Sequence, residues 1–150
     1  MERNMKQEMN FRPAAPADWP AIEALLLAAA LPLDGAQSHL ANFVVGEADG
    51  RLQCIGGFEQ YGATALLRSV AVDAGLRGTG VGEQLLDKLR GLAKGQGVGE
   101  LYLLTTTAAD FFGKRGFSVI ARAETPAALQ ASREFQGVCP ASATAMVAKL

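Results

Sequence analysis

Val70-Ala71-Val72-Asp73-Ala74-Gly75-Leu76-Arg77-Gly78-Thr79-Gly80-Val81-Gly82 runs from an apolar, β-branched stretch into the start of an amphipathic one. Val70, Ala71 and Val72 read as the end of a strand. Beyond Gly82, Leu85, Leu86, Leu89, Leu92 and Ala93 recur at helical spacing with Glu83, Asp87, Lys88 and Arg90 opposite, which predicts a helix over 82–94. Between the two lie three glycines in five positions, Gly78, Gly80 and Gly82, which let the backbone turn so that successive N–H groups surround one point. Those amides, with the positive end of the following helix, suit an anion such as a pyrophosphate. Two common phosphate loops are excluded. A P-loop needs Gly-Lys-Ser/Thr, whereas Gly82 is followed by Glu83 and Gln84. The Rossmann fingerprint needs Gly-x-Gly-x-x-Gly after a first strand, and this loop has the wrong period and lies mid-chain.

Downstream of the loop, Gly95, Gly97 and Gly99 end the helix, and Leu101-Tyr102-Leu103-Leu104 is a compact apolar run suited to a buried strand. Strand, helix and strand at this spacing predict a parallel crossover. A short helix follows at 108–114, closed by Gly116, then a strand at 118–121, a helix from Pro126 to about Glu134, and an alternating strand at 143–150. Upstream, a strand at 66–72 follows the turn residues Tyr61-Gly62-Ala63, and Asp49-Gly50 joins apolar runs at 43–45 and 52–58 into a hairpin. Asp18 before Trp19-Pro20 reads as the N-cap of a helix carrying Ile22, Leu25, Leu26 and Ala29, which stops at Leu31-Pro32. A helical turn near 37–42 and an edge strand at Phe11 complete an α+β fold with a mixed sheet: an antiparallel meander leading into the parallel crossover.

A length of 150 residues allots one domain, with residues 1–10 a polar arm and 11–150 a single folded unit. A chain of this size needs no disulfide or metal to fold. The two cysteines, Cys54 and Cys139, have no metal-ligand spacing and do not describe a disulfide scaffold, which points to a reducing cytoplasm and no metal. A hydrophobic content of 49% with 19% charged residues excludes a disordered chain. Fourteen Lys and Arg against fifteen Asp and Glu remove the basic surplus that drives general nucleic-acid binding. The longest apolar stretch, 24–31, is shorter than the roughly 20 residues of a membrane span, and the polar start has no signal-peptide core.

Arg77, Gly80 and Gly82 occupy the fixed positions of Arg/Gln-x-x-Gly-x-Gly/Ala, and in this the loop resembles the acetyl-CoA loop of the GNAT superfamily of N-acetyltransferases. Some thirty residues on, Phe111-Phe112-Gly113-Lys114-Arg115-Gly116-Phe117 is similar to that family's Phe-Tyr-x-x-x-Gly-Phe pattern in all but one position. The resemblance covers element order from Phe11 to about Ile120. A weaker resemblance, through 105–112, Pro126, Arg133-Glu134-Phe135 and 139–143, is to a small bacterial branch near amino-acid N-acetyltransferases and arsenic-resistance-associated N-acetyltransferases. Members of that branch resemble an N-acetylglutamate synthase without its kinase-like domain.

The resemblance implies the GNAT fold, with acetyl-CoA in a cleft where the fourth and fifth strands splay, and direct transfer of acetyl to a primary amine of a small acceptor, an amino acid or an amino-acid analogue toxin. It implies that amides of Arg77, Gly78, Thr79, Gly80, Val81 and Gly82 hold the pyrophosphate and that Val70, Ala71 and Val72 pair with the pantetheine arm. It also implies that an N–H near Val72 stabilises the oxyanion. The family's general-acid tyrosine falls at Phe112, which has no proton to give, but a thiol leaving group with a pKa of about 8.5 needs less help than an alkoxide. Strand 66–72 has no carboxylate, so Glu59 is the base candidate, acting through water; the alternative is a solvated turn carboxylate. Arg68 would grip a substrate carboxylate, with Ser69 and Thr105 beside the acceptor, or else point off an exposed face. His39, the one histidine, reads as a surface or capping residue, Cys139 as an inert packed thiol and Trp19 as packing. Rival functions are acetylation of a protein or peptide amine, and a non-catalytic CoA-binding regulatory module. Monomer and homodimer both fit the family.

Overall fold

The structure, a computed structural model, describes residues 9–132, 135, 137 and 142–150. Among the described residues, seven strands form one mixed sheet: β1 (Asn10–Pro13), β2 (Phe43–Ala48), β3 (Arg51–Tyr61), β4 (Thr64–Val72), β5 (Glu100–Thr105), β6 (Ser118–Ile120) and β7 (Thr144–Lys149). Their order is β1-β2-β3-β4-β5-β7-β6, and β4 with β5 is the parallel pair. The α-helices among the described residues are α1 (Trp19–Ala28), α2 (Val81–Gly95), α3 (Ala109–Gly113) and α4 (Ala127–Gln130). The α+β mixed sheet read from the sequence is therefore the fold, with the last strand, β7, inserted between β5 and β6.

Two apolar layers sandwich the sheet. Leu85, Leu86 and Leu89 of α2 pack with Cys54, Phe58, Leu67, Leu101 and Met146 on one face, joined by Phe112 and Phe117. Ile22 and Leu26 of α1 pack with Phe43, Val45, Ile55 and Ala71 on the other, and Leu129 of α4 covers Leu66 and Tyr102 farther along that face. Gly56 and Gly57 admit both layers: a Cβ on Gly56 would lie 2.7 Å from Leu89 Cδ1, and one on Gly57 would lie 2.2 Å from the Phe43 ring.

Local signals explain most element ends. Asp49 and Gly50 both have positive φ (55° and 77°), the type I′ geometry that matches strand twist in a two-residue hairpin. At the end of α2, Gly97 is left-handed and the Val98 N–H reaches back to the Ala93 carbonyl at 3.0 Å, a Schellman closure with Val98 buried beneath it. Gly116 does the same after α3, where the Phe117 N–H bonds to the Phe112 carbonyl at 3.2 Å.

Three expectations are corrected. Asp18 is not a side-chain N-cap of α1: it ends a single 3₁₀ turn, and its carboxylate accepts two bonds from the Arg12 guanidinium (2.8 and 2.9 Å) and one from the Ala15 N–H (2.7 Å). Helix α1 stops at Ala28, three residues before Leu31, with Ala30 in left-handed conformation (φ 57°). The arm assigned to 1–10 loses its last residue to β1, and Met9 packs on the core. The helix expected from Pro126 is seen over Ala127–Gln130; Arg133, Glu134 and Cys139 lie outside the described residues.

Candidate active site

Strand β4 supplies the inner wall of the site because it leaves its neighbour. Its parallel pairing with β5 covers only Thr64 to Leu66 against Glu100 to Tyr102, although β4 continues to Val72 and β5 to Thr105. Past Leu66 the strands splay, and a cleft of about 900 Å³ opens between them. The β3–β4 register changes at the same place: Ile55 pairs with Ala71, but Gly57 pairs with Arg68, so β4 spends one extra residue there. Ser69, with φ 61°, is in this bulge. The Asp73 N–H bonds to the Gln53 carbonyl of β3 at 2.8 Å, so alternation turns the Val72 N–H away from β3 and toward the cleft.

The glycine loop forms the rim. Gly78 and Gly80 are left-handed (φ 80° and 89°), and Asp73 holds the preceding turn by accepting the Gly75 N–H at 2.9 Å. Gly80 is the N-cap of α2 and contributes no side-chain acceptor; the first helical bond runs from the Gln84 N–H to its carbonyl at 3.1 Å. The amides of Val81, Gly82 and Glu83 therefore have no acceptor within the helix, which is where an anion is favoured. A Cβ on Gly82 would lie 3.2 Å from Phe111 Cζ, so glycine keeps this passage open.

Val70, Ala71, Val72, Arg77, Gly78, Gly80, Gly82 and Phe112 all line the cleft, as do Arg68, Ser69 and Thr105. Thr79 and Val81 do not: the Thr79 hydroxyl turns back to the Leu76 carbonyl, and Val81 is buried under the loop. Phe112 is 7% exposed and packs edge-on against Phe111 and Phe117, giving the cleft an apolar wall in place of a hydroxyl. Residues 29–32 after α1, Thr106, Thr107, Phe111 and Arg115 also line it and were not singled out from the sequence, although Phe111 and Arg115 stand in the motif around Phe112.

Glu59 and Arg68 change character most. Both lie on the α1 face of the sheet and form a buried pair, Arg68 Nη1 donating to Glu59 Oε2 at 2.6 Å, with side chains 0% exposed for Arg68 and 3% for Glu59. Glu59 also accepts the Tyr61 hydroxyl, and His39 Nε2 stands 3.9 Å away. It is neither a solvated turn carboxylate nor a residue of the cleft lining. Arg68 donates further to Ser69 Oγ (3.0 Å) and the Pro32 carbonyl (3.3 Å), so it ties β3, the bulge and the loop after α1 together. A direct grip on a substrate carboxylate would require Glu59 to release it.

Known proteins carry the same design. The family model described as an acetyltransferase (GNAT) domain matches residues 39–119, the span from the 3₁₀ turn before β2 to β6. The chain belongs to the GNAT acetyltransferase family. Amino-acid acetyltransferases from two Neisseria meningitidis strains are 29% identical to it over 100 residues, covering 60% of this chain and 21% of theirs. The chain thus spans about a fifth of the length of these relatives. Among solved structures, N-acetylglutamate synthase from Neisseria gonorrhoeae, complexed with coenzyme A and N-acetyl-glutamate, superposes with a TM-score of 0.82 at 24% identity, over 95% of this chain and 35% of that one. Rv2747 from Mycobacterium tuberculosis, also solved with CoA, gives 0.78 at 22% identity, over 94% and 99%. These likenesses establish the fold of this GNAT chain.

Among the described residues no helix is long and apolar enough to cross a membrane, and no three His, Cys, Asp or Glu side chains gather as a metal-binding group.

Proposed function

We propose that this GNAT protein transfers an acetyl group from acetyl-CoA to the primary amine of a small, amino-acid-like acceptor. The observation that carries the cofactor half is the splay of β4 from β5 with left-handed Gly78 and Gly80 at its rim: an open backbone edge beside an anion-binding turn. Pyrophosphate sits on the amides of the loop, the pantetheine arm adds to the Val70 to Val72 edge as a strand would, and the thioester oxygen meets the Val72 N–H. The acceptor half is supported by the Neisseria relatives, named for amino-acid acetylation. Arg68, held by Glu59, supports it only indirectly, by fixing Ser69 and the Pro32 loop that wall the acceptor end.

In this scheme the neutral amine attacks the thioester carbon, the Val72 amide stabilises the oxyanion, and the thiolate leaves without a protein acid, since Phe112 cannot supply one. Glu59, with both oxygens already accepting bonds, acts as the Arg68 counter-ion, and the amine proton goes to water. The rate then rises with pH up to the acceptor's own amine pKa.

The test is calorimetric titration with acetyl-CoA, followed by thiol release across amino acids, their toxic analogues and peptides. Binding with turnover on a free amino acid or analogue supports the reading, and turnover confined to peptides replaces the acceptor. The buried Phe112 favours a second reading, a CoA-binding regulatory module, which would bind acetyl-CoA and turn over no acceptor. Failure to bind acetyl-CoA removes both.

A further inference from the structure

We propose that Arg115 is the subsite for the phosphate monoester on the ribose of CoA, and so selects CoA over its dephospho form; this rests on reading the cleft as a CoA site. The glycine loop offers one group of amides, enough for a pyrophosphate. CoA carries a third phosphate, a monoester with a charge of about −1.5 to −2 near neutrality, and helix-end partial charges of about half an elementary charge do not balance it as well. A cation is required.

Among the described residues, three cations line the cleft: Arg68, Arg77 and Arg115. Arg68 is buried against Glu59, and Arg77 stands in the loop itself, at the pyrophosphate. Arg115 lies on the segment after α3, beside the first turn of α2, and the structure fixes it from several sides. Its guanidinium stacks 3.9 Å over the Phe111 ring, and Nη1 donates to the Phe111 carbonyl at 2.8 Å. Helix α2 holds the same residue at two points: Arg90 donates to the Arg115 carbonyl, and Glu83, two turns earlier on the same helix face, stands 4.0 Å from Nη2.

Nε of Arg115 is buried and without a hydrogen-bond partner among the described residues, whereas Nη2, facing Glu83 at 4.0 Å, keeps donor capacity for a ligand. Glu83 is 61% exposed and at the outer limit of an ion pair, a weak partner that a phosphate would displace. A stacked, pre-oriented guanidinium loses little freedom on gripping a phosphate with two bonds.

Calorimetric dissociation constants for CoA and 3′-dephospho-CoA, measured on the wild-type chain and three variants, test this. Arg115→Gln is expected to weaken CoA about tenfold and dephospho-CoA less than about twofold, with Arg115→Lys between wild type and Gln for CoA. Glu83→Gln, which removes the competing carboxylate at an exposed position, is expected to tighten CoA about twofold and dephospho-CoA by less, since both carry the pyrophosphate. Equal loss for both ligands in Arg115→Gln, or no loss for either, overturns the Arg115 assignment while leaving the CoA site standing. If neither ligand binds the wild-type chain, the CoA reading fails first, and this inference with it.

Discussion

Gly80 shows how much of the site rests on single backbone angles. With φ 89° and nothing within 4 Å of where a Cβ would stand, its constraint is conformational and not steric. Gly80→Ala is therefore expected to cost about 1–2 kcal/mol through the left-handed backbone alone. Gly80→Asp adds a carboxylate beside the phosphates, and acetyl-CoA binding is expected to fall below calorimetric detection while the circular-dichroism spectrum stays that of the wild type. The Glu59–Arg68 pair yields a second expectation. Glu59→Gln takes the Glu59 charge away from a buried guanidinium and should lower unfolding stability by about 3–5 kcal/mol in a denaturant titration, whereas Glu59→Gln with Arg68→Met recovers much of that loss. An equal loss in single and double variants would mean that the pair is not a coupled unit. Gly78 and Gly80 were legible in the sequence because a positive φ selects residue type. The pair was not: Glu59 and Arg68 stand nine residues apart, and only the register of the β3–β4 hairpin brings them together on one face.

At the scale of elements, the sequence was most informative where a turn has one chemical solution. Asp49-Gly50 specified its hairpin, and Gly97 and Gly116 specified two Schellman closures. It misled where two partners compete for one side chain, since Asp18 has the chemistry of a helix cap but prefers the doubly bonded Arg12 guanidinium. That contact clips β1 to the entry of α1 and holds the Asp18 carboxyl well below the usual carboxylate range, chiefly through the hydrogen bonds from Arg12. A carboxyl whose folded-state pKa is lowered stabilises the fold above its unfolded value and loses that contribution as pH falls through the folded one. Asp18→Asn is thus expected to be less stable than wild type at pH 7. The gap in melting temperature should close below about pH 4, where the unfolded-state carboxyl begins to take up its proton. A gap independent of pH would assign the effect to lost shape and not lost charge.

For the whole molecule, the meander and crossover were readable because each joins strands adjacent in sequence. The placement of β7 between β5 and β6 was not, since the pairing of Glu100 with Lys149 and of Ser118 with Val147 depends on covering edges and not on local pattern. The cleft belongs to this scale too, drawing on residues from Ala29 to Ala143. A ligand held by so many segments should stabilise the fold as one body, and acetyl-CoA at 100 times its dissociation constant is expected to add about 2.7 kcal/mol. A melting curve that splits into two steps on adding ligand would show the two sides of the cleft unfolding separately. The surplus residue at Ser69 acts on the same cleft through curvature. Leu67, Val70 and Val72 join the α2 layer while Leu66, Arg68 and Ala71 face away from it, so without Ser69 the side chains would still alternate correctly. Its contribution is length given to one strand of a bonded pair, and a pair with unequal sides bends toward the shorter, as a bimetallic strip does. Here the shorter side is β3, so β4 leans away from β5. Deleting Ser69 is expected to leave both apolar layers and the circular-dichroism spectrum intact while β4 straightens, the gap narrows and acetyl-CoA binding is lost. Loss of binding with an unchanged core would assign the aperture to that single residue.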